Sequence, residues 1–309
     1  MGGRGNVIRI QDGDLVVEID PSNGNNAHSM TVRGHEMVWA HAAKGHLQGI
    51  PLLAPWANRL DGDAYFANGR RYRLNPDAIE IHRDANGLPI HGLLAFCEGW
   101  RVVKQNVASV TSRLDFWRNP RWMAQFPFAH TLEITHRLSG GSFEIETAIE
   151  NHSMEPMPLA IGFHPYFQLT DSPRDEWKLS IPALERVILS DKLIPTGSTT
   201  PMELAQPFTL AGNSLDAVFA GLTGGEFVVQ GRSQHISVRF GPKFPVAVVY
   251  APADGSFVCF EPMTALTNAF NLDHAGVYAR LQHIAPGETW RESFWISNQN
   301  SKSRSQNAE

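Results

Sequence analysis

The chain has 309 residues and a formal charge of −5, from 26 Lys plus Arg against 31 Asp plus Glu. That length buries a large core, and although it allows two domains, all-β sandwiches of this size often fold as one. So balanced a charge gives no broad basic field for phosphate backbones or anionic lipid, which argues against nucleic acid and membrane partners.

The N-terminus, MGGRGNVIRIQDGD, lacks the apolar segment of a signal peptide, and no stretch approaches the ~18 apolar residues of a membrane span. The expectation is a soluble, cytoplasmic protein. Predicted strands then follow in order: Leu15 to Ile19, Trp100 to Val103, Thr131 to Leu138, Phe143 to Glu150, Phe227 to Gln230, Ile236 to Phe240, Val246 to Ala251 and Phe257 to Phe260. Each is a short run rich in Val, Ile, Phe or Tyr, and 26 glycines and 20 prolines supply the turns between runs. Phe143 to Glu150 alternates apolar and polar positions, so one face packs inward while its glutamates meet water. No window of 12 or more residues sustains a helical period without a Gly or Pro, so helices should be short connections. The fold class expected is all-β: a large antiparallel β-sandwich with short helices, one domain over residues 1–297. The tail, residues 298–309 (NQNSKSRSQNAE), has almost nothing to bury and reads as disordered.

Cys97 and Cys259 show no CxxC or Cys/His spacing for zinc or a disulfide framework, and read as small buried hydrophobes in a reducing compartment. Eleven of the 13 histidines, among them His82, His130 and His136, read as surface or structural groups in polar, turn-rich segments, with no metal-ligand spacing.

Four segments combine ionisable groups with apolar and proline-rich surroundings. They are PLLAPWANRL (51–60), PIHGLL (89–94), AIGFHPYF (160–167) and FVCFEPMT (257–264). A polar group in such a setting must find a partner or a ligand, since leaving it unsatisfied costs on the order of 1–3 kcal/mol. Glu261 stands directly after an apolar strand and before a proline expected to end it, where a carboxylate is either paired or held with a raised pKa.

In this order the four segments resemble the signature of the aldose 1-epimerase (galactose mutarotase-like) family, from roughly Val7 to Ser297. GRRYRL (69–74), DKLIPTG (191–197), Leu215-Asp216, FPVAVVYAP (244–252) and IAPGE (284–288) support the likeness. The resemblance implies a galactose mutarotase-like supersandwich whose concave face holds a monosaccharide, with no cofactor and no metal. It implies Glu261 as the general base at the anomeric hydroxyl, His164 as the general acid at the ring oxygen, and His91 as a second histidine near the reacting centre. Asn58, Arg59 and Asp216 are implied as binders of sugar hydroxyls. Trp56, Phe163, Tyr166 and Phe167 offer apolar faces for the sugar's C–H edges, with core packing expected of at least two.

The sequence departs from the family where Gly24 is followed by Asn25-Asn26-Ala27-His28-Ser29. It departs again where the usual Gly-Pro-Pro-Asn-Ala becomes Ala265-Leu266-Thr267-Asn268-Ala269, a loop expected to be less constrained. The function implied is interconversion of the α and β anomers of a free hexose, as a monomer or homodimer. The rivals are a hexose-6-phosphate 1-epimerase, with Arg70, Arg71 and Arg73 as phosphate contacts, and a non-catalytic carbohydrate-binding protein. The presence of Asn58-Arg59, and the lack of an arginine after His91-Gly-Leu-Leu-Ala95, favour the free sugar.

Overall fold

Alternation of apolar and polar side chains builds most of this molecule. The computed structural model describes residues 7–43 and 45–298. The expected tail lies outside the described residues except for Asn298. Every pairing between named strands is antiparallel, and the two α-helices among the described residues, Pro120–Gln125 and Ala269–His274, are short, as the broken helical periods require.

Two large sheets form the body. Nine strands lie in the spatial order Phe208–Thr209, Lys178–Ser180, Phe227–Gln230, His235–Phe240, Thr289–Ser297, Ser142–Asn151, His130–Ser139, Ser109–Asp115 and Arg101–Gln105. The second sheet runs Pro195–Pro201, Ala183–Leu189, Leu215–Leu222, Val246–Ala251, Val258–Met263, Gly162–Phe163 and Leu52–Leu53, with Tyr166–Phe167 also paired to Val258–Met263. Their facing sides share a core: the rings of Phe163 and Phe294 lie 5.0 Å apart, and those of Phe227 and Phe260 lie 5.6 Å apart. This is a β-sandwich. Strands with no clear apolar run, such as Pro195–Pro201 (PTGSTTP), escape a reading by pattern. That one lies at a sheet edge and is exposed after its first residue, so nothing selects apolar side chains there.

Two expectations need correction. The strand holding Glu261 does not stop at the proline but continues through Pro262 to Met263. Thr264 N donates to Ile161 O on the side of Gly162–Phe163, and alternation turns the nitrogen of Pro262 to that same side. There Phe260 to Pro262 have no registered partner, so the missing N–H costs no ladder bond. Nor is the Ala265–Ala269 loop loose. Ala265, Thr267 and Asn268 are buried, and Asn268 in a left-handed conformation accepts from Asp61 N at 3.0 Å while its own N–H bonds to Arg59 O.

Candidate active site

Period-two alternation divides the second sheet between core and cavity. Val258 and Phe260 join the main core, while Cys259 and Glu261 point to the opposite face. The neighbouring strand behaves alike: Ala247 and Val249 face the core, and Val248 and Tyr250 the other side. Register then sets Asp216 opposite Tyr250, Tyr250 opposite Cys259, and Cys259 opposite Tyr166, with Val248 opposite Glu261 one step along. In the run 163–167 the same alternation sends Phe163 and Phe167 into the core and holds His164 and Tyr166 on the cavity side, their rings stacked 4.6 Å apart at 9°.

The remaining wall comes from two N-terminal segments that cross this face. His91 N donates to Asn58 O, Leu60 N to Pro89 O, and Leu93 N to Ala54 O, which ties 54–60 to 89–94. Asn58 and His91 both have left-handed backbones, with φ of 56° and 63°, so each side chain turns inward from its turn.

The result is a cavity of about 240 Å³ lined by all six residues singled out from the sequence: Asn58, Arg59, His91, His164, Asp216 and Glu261. Ile90, Tyr166, Val248 and Tyr250 complete the lining. Tyr250 was missed, although the alternation of Val246, Val248 and Tyr250 was the available signal. Of the four aromatic residues offered for sugar stacking, only Tyr166 reaches the cavity; Trp56, Phe163 and Phe167 are core residues. His82 does not line it and packs on Phe96.

At the floor, His164 Nε2 lies 3.3 Å from Glu261 Oε1, with both side chains almost fully buried. The His91 ring stands edge-on to His164, centroids 5.4 Å apart. Glu261 Oε2, His91 Nδ1 and His164 Nδ1 are all buried without a hydrogen-bond partner, an unsatisfied polar cluster of the kind a polar ligand would relieve. Burial, helped by the charge of Asp216, pushes the Glu261 carboxyl well above its ordinary range, and Arg59 opposes that rise. Burial holds His164 down to about 3, and burial with the nearby His164, Arg59 and His82 holds His91 well below the ordinary imidazole value. One proton shared by His164 and Glu261 is therefore the state such a site favours. Arg59 is anchored by Asp84 Oδ2 at 2.6 Å and by Asn58 Oδ1 at 2.9 Å.

A larger, open cleft of about 600 Å³ lies where Arg101, Arg113 and Arg118 converge on Asp115, and its one aspartate is already neutralised by them. Among the described residues no group of three or more His, Cys, Asp or Glu side chains is arranged to hold a metal ion. Among the same residues no helix is long and apolar enough to cross a membrane.

An antiparallel sandwich carrying a buried imidazole–carboxylate pair in a small polar cavity is the class that fold and site define. The family profile described as Aldose 1-epimerase matches residues 6–297, and the chain belongs to that family. It is similar to two uncharacterized Escherichia coli K12 proteins. YihR is 26% identical over 244 residues, covering 76% of this chain and 74% of that protein. YphB is 25% identical over 245 residues, covering 77% and 79%. Among solved structures, a galactose mutarotase-like protein from Clostridium acetobutylicum matches with a TM-score of 0.83 at 20% identity over 95% of each chain. A galactose 1-epimerase from Lactobacillus acidophilus NCFM matches at 0.72 and 13% identity over 96% of each. These structural likenesses establish the galactose mutarotase-like fold.

Proposed function

We propose that this protein is an aldose 1-epimerase, a mutarotase that interconverts the α and β anomers of a free hexose of the glucose or galactose type. The observation that carries this reading is the meeting of His164 Nε2 and Glu261 Oε1 at 3.3 Å against the cavity, with both side chains buried and the second Glu261 oxygen unpaired.

The reaction breaks the bond between the anomeric carbon and the ring oxygen, lets the aldehyde end turn, and recloses the ring on the other face. One proton leaves O1 as another arrives at the ring oxygen. Without ligand, desolvation favours the uncharged pair, with the shared proton on the carboxyl side. A sugar O1–H donating to Glu261 Oε2, with Arg59 nearby, favours the carboxylate and passes the proton to His164. Glu261 then accepts from O1, His164 protonates the ring oxygen, and the roles reverse on closure. Each positioned acid or base is worth ~10²–10⁴-fold. His91, Asn58, Arg59 and Asp216 hold hydroxyls in this reading. The cavity is below the ~300–1,000 Å³ of drug-sized pockets, which suits one sugar ring.

Arg59 is the one cationic side chain lining the cavity among the described residues, and it is already paired with Asp84. Arg70, Arg71 and Arg73 lie on the separate hairpin Ala64–Ala67/Arg70–Arg73, with Arg70 paired to Glu155. Both points support a free sugar over its 6-phosphate. The presence of both members of the acid/base pair supports an enzyme over a sugar-binding protein.

Polarimetry on freshly dissolved α-D-glucose and α-D-galactose tests the roles. Glu261→Gln and His164→Asn should each slow mutarotation by at least ~10²-fold with the fold retained. Near-normal rates in both would remove the assignment. The wild-type rate should trace a bell against pH, falling on the acid side as the pair takes a second proton and on the alkaline side as it loses its one proton.

A further inference from the structure

We propose that Asp84, which does not line the cavity, is the positioning residue for Arg59 and decides which edge of the guanidinium a sugar meets. The proposal rests on the mutarotase reading of this cavity.

A guanidinium carries five N–H donors in a planar fork, on a stem long enough to adopt many rotamers. The Arg59 main chain is fixed, since Asn268 N donates to its carbonyl at 3.0 Å and a bridge joins it to Ile90. The side chain still needs a stop. Asp84 supplies it: Oδ2 takes Nε–H at 2.6 Å, while one Nη1 hydrogen goes to Asn58 Oδ1 at 2.9 Å. The second Nη1 hydrogen and both Nη2 hydrogens have no partner among the described residues, and Arg59 lines the cavity.

Asp84 is itself held for this task. Its side chain is 6% exposed, and Oδ1 accepts from Asn86 N and Leu88 N at 2.9 Å each. Its N–H donates to Leu88 O at 3.0 Å, closing a turn whose far end leads into Pro89, Ile90 and His91. One carboxylate oxygen is thus fixed by the turn and the other faces Arg59. Arg83, the neighbouring cation in sequence, is engaged by Asp63 at 2.7 Å and by Gly87 O, so it does not compete. The same turn that carries His91 to the cavity therefore also orients Arg59, and the two binding groups are set by one element.

The effect reaches the reacting pair through charge. Facing Glu261 are His164, Asp216, Arg59, Cys259, Tyr166 and Tyr250, and Arg59 is the cation among them. Letting Arg59 swing away removes its support for the carboxylate, so the pair should hold its protons to higher pH.

Asp84→Asn separates orientation from the turn. The amide oxygen can still accept from Asn86 and Leu88, while its NH₂ meets Arg59 Nε–H donor against donor. Misplacing a binding group by about 1 Å can cost ~10²-fold. The expected result is a ~10–100-fold fall in kcat/KM, carried mainly by KM, with both limbs of the pH–rate profile moved to higher pH. In an Arg59→Ala background the same substitution should add nothing, the non-additivity of residues acting through one another. Asp84→Glu, which keeps the charge on a longer stem, should recover part of kcat/KM and the wild-type profile. Asp84→Asn with a lowered Tm but unchanged KM and profile would show a purely structural role and overturn the proposal. If Asp84→Asn does not fold, an Arg59→Ala enzyme with wild-type KM and pH profile overturns it equally, since there is then no binding group for Asp84 to orient. A wild-type enzyme inactive on every sugar would remove the underlying reading, a result distinct from either.

Discussion

His91 shows how backbone and chemistry meet at one residue. Its φ of 63° is unusual for a side-chain-bearing residue, its N–H is bound to Asn58 O, and its Nδ1 is unpaired beside the cavity. Asn tolerates the left-handed conformation well, so His91→Asn removes the ring without straining the turn. Sugar kinetics should show kcat/KM reduced about tenfold or more, the size of one lost hydrogen bond at about 1.4 kcal/mol, with Tm nearly unchanged. An unchanged kcat/KM would place His91 outside the binding set. His91, like Asn58, Arg59, His164 and Glu261, stood out in the sequence as a polar group inside an apolar, proline-containing segment, whereas Asp216 rested on the family resemblance alone. Tyr250 and Asp84 did not stand out. Tyr250 needed period-two counting along its strand together with the register that sets it opposite Asp216, and Asp84 enters through a turn that closes on Arg59, a relation not written in local composition.

At the scale of elements, the site depends on how closely the 54–59 and 90–94 segments approach. Gly92 has a φ of 67°, and a Cβ added there would lie 2.2 Å from Ala54 O. Gly92→Ala should therefore push apart the segments that carry Arg59 and His91, destabilising the protein by about 2–4 kcal/mol and lowering sugar affinity in parallel. A urea midpoint within error of wild type would show that the crossing is not tight. The sequence pattern revealed strands where one face is buried, as in Phe143–Glu150, because burial imposes the period of two. It failed where burial does not choose, at the edge strand Pro195–Pro201, and at Pro262, where the side a nitrogen faces decides whether a proline ends a strand. The loop 265–269 read as loose because its tethers, Asn268 to Asp61 and to Arg59, cross about two hundred residues of chain.

Across the whole molecule, buried histidines make stability depend on acid. His130 and His136 are not in polar, turn-rich surroundings as the sequence suggested; both are buried on the inward row of His130–Ser139 with Leu132 and Ile134, against Phe116 and Phe143. Period-two counting from Leu132 would have placed them there. Burial holds His130 down to about 4 and His136 down to about 3, as it does His164. The unfolded chain takes up protons below the ordinary value of 6.5 that the folded chain refuses, so stability is complete above that pH and is lost as pH falls toward 3. Glu261 works in the opposite sense, its raised value relieving strain on acidification. Each depressed histidine contributes about 1.4 kcal/mol per pH unit across its window. His136→Phe, which keeps a ring against Phe143, should flatten the fall in unfolding free energy by about that slope, and an unaltered slope would refute the assignment to His136. The fold was thus legible in its β character and in its cavity-bearing segments, and illegible wherever long-range packing chose the partner. The most direct test of the central claim is two-dimensional exchange NMR of ¹³C1-labelled glucose and galactose at equilibrium with the wild-type protein. A mutarotase gives α-to-β cross-peaks at C1 that grow far faster than in buffer and are lost in Glu261→Gln; cross-peaks no faster than in buffer for both sugars would show that the protein does not turn over free glucose or galactose.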